Sequence, residues 1–169
     1  KMGYFVAQQL VDTLVIQTQK VESAESFLTN QKIEKVIFSS VSGPLPEMIK
    51  RWLPSETTVL ELDNKVNLPF DVAYQTPGTL GKDRLAAVAG AYALFPQSNC
   101  LVMDAGTCIT YDLLTDQHVY LGGNISPGWQ MRLDAMHHFT AKLPRPIAQA
   151  PSKWVGNSTE TALQNGALQ

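Results

Sequence analysis

Apolar residues fall in short runs separated by polar punctuation, and these runs outline the elements. Gly3–Ala7 and Leu10–Gln17 are apolar and rich in β-formers, and the polar pair Gln8-Gln9 between them predicts a hairpin. Ser23–Leu28 suits a short helix. Lys35–Val41, with its Val-Ile-Phe run, predicts a buried strand, and Gly43-Pro44 then punctuates before a helix running through Trp52. Thr57–Leu62 reads as a further strand. The stretch from Asp63 to Thr79 is rich in Asn, Pro and Gly and is expected to be a loop crossing between two lobes.

The second half repeats the pattern. Alanine-rich Asp83–Phe95 has high helix propensity and must end before Pro96. Cys100–Asp104, Ile109–Leu114 and His118–Leu121 follow in quick succession and predict an antiparallel meander. Beyond Gly122-Gly123 and Pro127-Gly128 a helix is expected over Trp129–Ala141, then a Pro-rich loop over Leu143–Pro151 and a last helix over Thr159–Gln169. The fold class is α/β, with two similar lobes at residues 1–75 and 76–169, each a mixed sheet with flanking helices. Only two of three expected strands are visible in the first lobe, so its opening strand is expected upstream of Lys1. The last helix has no closing signal, so the second lobe is expected to continue past Gln169. Architectures of this kind are ribonuclease H-like, as in the actin-like ATPases, which hold phosphates between paired strand–turn–strand loops.

Composition narrows the partners. A 169-residue chain that is 44% apolar can bury a substantial core. Its net charge of -2 and scattered lysines and arginines argue against a nucleic-acid partner. No apolar run approaches a membrane span and no leader pattern is present, so a cytoplasmic location without a membrane partner is expected. Cys100 and Cys108 flank a tight turn outside any C-x-x-C pattern and are expected to be reduced thiols.

Four motifs carry the candidate chemistry. Asp104-Ala105-Gly106-Thr107 places an acid at a strand end and a glycine where a ligand can approach the backbone. The amides of Gly106 and Thr107 and the Thr107 hydroxyl can donate to phosphate, and Asp104 can hold a cation. An ordinary Asp-Gly hairpin turn is the alternative. Gly81-Lys82-Asp83-Arg84 opens the alanine-rich helix. A cation in a helix's first turn opposes the macrodipole unless an anion offsets it, so Arg84 is a candidate for a substrate carboxylate, against the alternative of an Asp cap beside an exposed arginine. Gly122-Gly123-Asn124-Ile125-Ser126-Pro127-Gly128 leads to a helix N-terminus suited to anions, or is a structural loop. Gly156-Asn157-Ser158-Thr159 is a helix cap or a substrate-contacting turn. His137-His138 lacks metal-ligand spacing and is expected on the surface.

In order and approximate spacing, Tyr74 with Pro77, Gly81-Lys82-Asp83-Arg84, Asp104-Ala105-Gly106-Thr107, Gly122-Gly123 to Pro127-Gly128 and Gly156-Asn157-Ser158-Thr159 resemble the type III pantothenate kinases. Lys1 is similar to the last residue of that family's opening Asp-x-Gly-Asn-Thr-x-x-Lys signature. The resemblance implies ATP-dependent phosphorylation of pantothenate, the first step toward coenzyme A, by a homodimer that uses Mg²⁺ and a monovalent cation, K⁺ or NH₄⁺. It implies that Asp83 is the proton acceptor and that Tyr74, Gly81, Lys82, Asp83, Arg84 and Thr159 line the pantothenate site. Lys1, Gly106 and Thr107 would contact ATP, and Asp104 would bind the monovalent cation. Another small-molecule kinase of the same superfold and a non-catalytic, transcription-accessory protein are the competing classes.

Overall fold

A computed structural model describes residues 1–7, 9–16, 18–40, 47–63 and 66–168, without the side chains of Thr18, Gln19 and Val21. Gln8, Gln17, Val41, the Gly43-Pro44 punctuation and Gln169 lie outside the described residues. The chain is a mixed α/β protein of two compact units, Lys1–Val66 and Asn67–Gln169.

In the first unit β1 (Met2–Val6) and β2 (Gln9–Leu14) form the expected antiparallel hairpin, with a bulge between Tyr4 and Phe5. A 3₁₀ segment (Thr18–Ala24) leads into α1 (Glu25–Thr29). β3 (Lys35–Phe38) and β4 (Thr58–Glu61) pair in parallel, because α2 (Glu47–Trp52) returns the chain to the same end. A single mixed sheet was expected here. Among the described residues the strands instead make two separate two-stranded sheets, since neither β1 nor β2 bonds to β3 or β4. Ala24, Leu28 and Ile49 form the core, with Phe27, Ile33, Phe38 and Trp52 packed around them.

The second unit carries a four-stranded mixed sheet in the order β5–β8–β7–β6. Its meander is the predicted one: β6 (Cys100–Ala105), β7 (Cys108–Leu114) and β8 (Val119–Pro127). Two features depart from expectation. β5 (Asp71–Val72) lies inside the expected crossing loop and pairs in parallel with Val119 and Tyr120, which draws residues 67–75 into this unit. β8 also runs six residues past Leu121, so Gly122 and Gly123 sit within a strand and not in a loop.

α3 (Lys82–Leu94) follows a 3₁₀ turn (Pro77–Thr79) and packs on β6 and β7. Its alanines let it lie close to the sheet, and Leu85 and Val88 meet Phe70, Leu80, Leu114 and Tyr120 in the core. α4 (Trp129–His138) stops three residues short of the expected Ala141 and packs on α5 (Thr159–Leu168) through Leu133, Leu163 and Ala167. The Pro-rich loop between them is fastened down. Arg145 grips both Asp134 oxygens at 2.8 and 2.9 Å, the Gln130 side chain bonds the Pro146 carbonyl and the Ala148 amide, and Asn165 donates to the carbonyls of Lys153 and Trp154. His137 is exposed, and its Nδ1 donates to the Leu143 carbonyl. Both cysteines are free. Among the described residues no helix is long and apolar enough to cross a membrane.

Candidate active site

The helix α3 starts with Gly81 as its N-cap and no side-chain cap. Asp83 is exposed in the first turn, where its Oδ1 accepts the Arg84 amide at 2.9 Å and satisfies one of the unpaired N–H groups of a helix start. That hydrogen bond does not use Oδ2. Arg84 turns the other way and is 4% exposed. The alternative of an Asp cap beside an exposed arginine is therefore overturned: glycine caps the helix, and β7 and β8 bring an acid and a hydroxyl beneath the arginine.

The acid is Asp112, fully buried on β7. Arg84 Nε and Nη2 both donate to its Oδ1, at 2.9 and 2.5 Å, and the Tyr120 hydroxyl donates to the same oxygen at 2.6 Å. The Tyr74 ring lies 5.7 Å from the guanidinium carbon and stacks parallel to Tyr120 at 6.5 Å. The hydrogen bond to Asp112, and then one with Tyr74, hold the Arg84 pKa above its ordinary range against the effect of burial. Burial first, then Asp112, raises the Tyr120 pKa, so this hydroxyl keeps its proton and acts as a donor.

Glycines on β8 make room for this cluster. Gly122 has φ +95°, a conformation that favours glycine, and a Cβ there would come within 2.9 Å of the Tyr74 ring. Gly123 lies opposite Asp112, and a Cβ would run into the Tyr111 carbonyl. Beside them Ala73, Tyr74, Gln75, Thr76, Leu121 and Gly123 line a depression of about 400 Å³.

The phosphate-loop candidate is the turn between β6 and β7. Asp104 is exposed and in register with Thr110, and Gly106 and Thr107 form the turn itself. Gly128, the N-cap of α4, donates its amide to the Thr107 carbonyl at 2.9 Å. A strand turn and a helix N-terminus are thereby joined, and such termini favour anions. The described residues contain no group of three or more His, Cys, Asp or Glu able to hold a metal ion, around Asp104 or elsewhere.

Thr159 is the exposed first residue of α5. The cap beneath it is Ser158, whose Oγ accepts the Thr161 amide while Thr161 Oγ1 accepts the Ser158 amide. Lys1 precedes β1 in the first unit. Thus Tyr74 and Arg84 meet directly and Gly81, Lys82 and Asp83 adjoin them in the first turn, while Gly106 and Thr107 meet the start of α4. Asp112 and Tyr120 were not singled out in the sequence. The available signal was an aspartate amid the apolar run Ile109–Leu114, an unusual residue for a buried strand.

These features define a mixed α/β protein with an anion-suited strand turn at a helix start and a second helix start carrying an acid and a buried arginine. A family model for type III pantothenate kinase matches residues 1–169. The chain belongs to the type III pantothenate kinase family. The type III pantothenate kinase of Christiangramia forsetii is 46% identical over 153 residues, covering 88% of this chain and 63% of that protein. That of Bacteroides fragilis is 38% identical over 166 residues, covering 98% and 68%. A solved structure from Campylobacter jejuni, named for the Baf family of transcriptional activators, superposes with a TM-score of 0.50 at 28% identity, over 84% of this chain and 62% of that one. The chain thus spans about two thirds of the length of these relatives.

Proposed function

We propose that the intact protein transfers the γ-phosphoryl group of ATP to the hydroxyl of pantothenate, giving 4'-phosphopantothenate, the first step of coenzyme A biosynthesis. The observation that carries this reading is the family match across residues 1–169. The frame would be the ribonuclease H-like, two-lobed fold of the actin-like kinases, with the lobes falling near residues 1–75 and 76–169, in a cytoplasmic homodimer without nucleic-acid or membrane partners.

Asp83 would accept the hydroxyl proton on Oδ2, the oxygen not used by the Arg84 amide. Arg84 would neutralise the pantothenate carboxylate, and Tyr74, Gly81, Lys82 and Thr159 would complete the pocket. The Thr107 amide and hydroxyl would hold ATP phosphates, with the Gly106 backbone alongside them, its amide being bonded to the Cys108 carbonyl at 2.9 Å. Lys1 would also contact ATP. The turn fits this use, being exposed and abutted by the start of α4. Asp104, exposed near the end of β6, would bind the monovalent cation. Mg²⁺, which commonly takes one or two protein carboxylates plus phosphate and water, would neutralise phosphate charge during transfer. Positioning is most of what the residues supply.

The test is ADP release coupled to pantothenate, with the phosphorylated product identified by mass. No pantothenate-dependent ADP release would defeat the reading. The name of the Campylobacter jejuni relative favours a second, regulatory reading, which a gel-shift at physiological salt addresses. The net charge of -2 counts against direct DNA binding.

A further inference from the structure

We propose that Asp112, steadied by Tyr120, is a positioning residue that aims Arg84 at the substrate carboxylate and so sets the preference for a carboxylate-bearing acceptor. This rests on the reading of Arg84 as the carboxylate partner. Three donors converge on Asp112 Oδ1: two from Arg84 and one from Tyr120. Its Oδ2 is buried with no hydrogen-bond partner.

Such an arrangement is a poor way to stabilise a core. A buried ion pair gains little over apolar residues of the same volume, and a buried oxygen without a partner costs stability. What it does well is fix geometry. With Nε and Nη2 bound to one oxygen, the plane and rotation of the guanidinium are set by the Asp112 carboxylate, and the Tyr74 ring restricts it further. Of five N–H donors, two go to Asp112 and one is engaged with Tyr74, which leaves two for another acceptor. A fork so held loses little freedom when a carboxylate binds, which favours affinity and selectivity together.

The supports are themselves immobile. Tyr120 is fully buried, wedged by Phe70 and Tyr74, and Asp112 faces Gly123 across the strands, where no side chain competes for its place. Nothing in the catalytic chemistry of Asp83 requires this triad. Its geometric output is the orientation of Arg84.

The experiment compares kcat/KM for pantothenate with that for panthenol, which keeps the acceptor hydroxyl but replaces the carboxylate with an alcohol, using the intact protein. Asp112→Asn should lower the pantothenate-to-panthenol selectivity ratio by roughly tenfold or more, mainly through the KM for pantothenate, and Tyr120→Phe should lower it by about threefold. A merely structural role would reduce turnover of both substrates in parallel and leave the ratio unchanged, which overturns the proposal. If Asp112→Asn fails to fold, Tyr120→Phe decides by the same ratio. Arg84→Lys is measured alongside. A ratio reduced in Arg84→Lys but unmoved in the other two variants retains the carboxylate reading and rejects the positioning role. A ratio unmoved in Arg84→Lys rejects the carboxylate reading and this proposal with it.

Discussion

Gly128 donates its amide to the Thr107 carbonyl at 2.9 Å, and a Cβ on Gly128 would collide with the carbonyls of both Gly106 and Thr107. The close approach of α4 to the strand turn thus depends on a glycine. Gly128→Ala must push the two apart. If the turn holds ATP phosphates, the KM for ATP should rise by roughly tenfold, with a smaller change in the KM for pantothenate. Steady-state kinetics in both substrates reads the split. An unchanged KM for ATP in a folded variant would remove the turn from the nucleotide site.

Asp83→Asn keeps the shape of the first turn of α3 and can still accept the Arg84 amide through its carbonyl oxygen. Only the base is lost. We expect kcat to fall by roughly 10² to 10⁴ with little change in ATP binding, measured by turnover and nucleotide titration. Activity within a few-fold of the wild type would exclude Asp83 as the proton acceptor.

Asp104 stands exposed at the end of β6, next to the turn. Replacing Na⁺ by K⁺ or NH₄⁺ at constant ionic strength should raise activity, and Asp104→Asn should blunt that response. Equal turnover in all three salts would count against a monovalent-cation site here.

Asp134 is held well below the usual carboxylate range, first by its hydrogen bond to Arg145, then by that to Gln130. A depressed folded-state pKa means that the contribution is present above the unfolded value, about 4, and is lost as pH falls through the folded one. Acidification below about pH 4 should therefore loosen residues 143–155 before the sheet opens. Hydrogen exchange at the Ala148 amide, which donates to Gln130, reports this directly. Asp134→Asn should show the faster exchange already at neutral pH, and an unaltered rate there would dismiss the ion pair as a fastening.

Local pattern was enough for most elements, because their signals lie within a few residues. The meander was readable from three apolar runs with tight connections, and α3 from an alanine-rich segment closed by Pro96. β5 was not readable: two residues carry no periodicity, and their strand character comes wholly from pairing with Val119 and Tyr120. The extent of β8 was hidden for a related reason. Gly122 and Gly123 carry the usual mark of a loop, yet remain in the strand because Tyr74 and the Tyr111 backbone occupy the space that side chains would need.

The site divides along the same line. By itself the sequence determined the candidate motifs, their order along the chain and the chemical capacities of Asp83, Arg84, Asp104 and Thr107, since these follow from residue type and short spacing. It also signalled that Arg84 wants an anion, from the conflict between its charge and the helix dipole. Which anion answers that need in the folded chain was a tertiary matter. Asp112 lies 28 positions away, and only the packing of α3 over β6 and β7, with β8 paired beside β7, brings its oxygen to the guanidinium and to Tyr120. Burial makes that meeting consequential, because away from water an arginine's direction is set by the groups it is packed against.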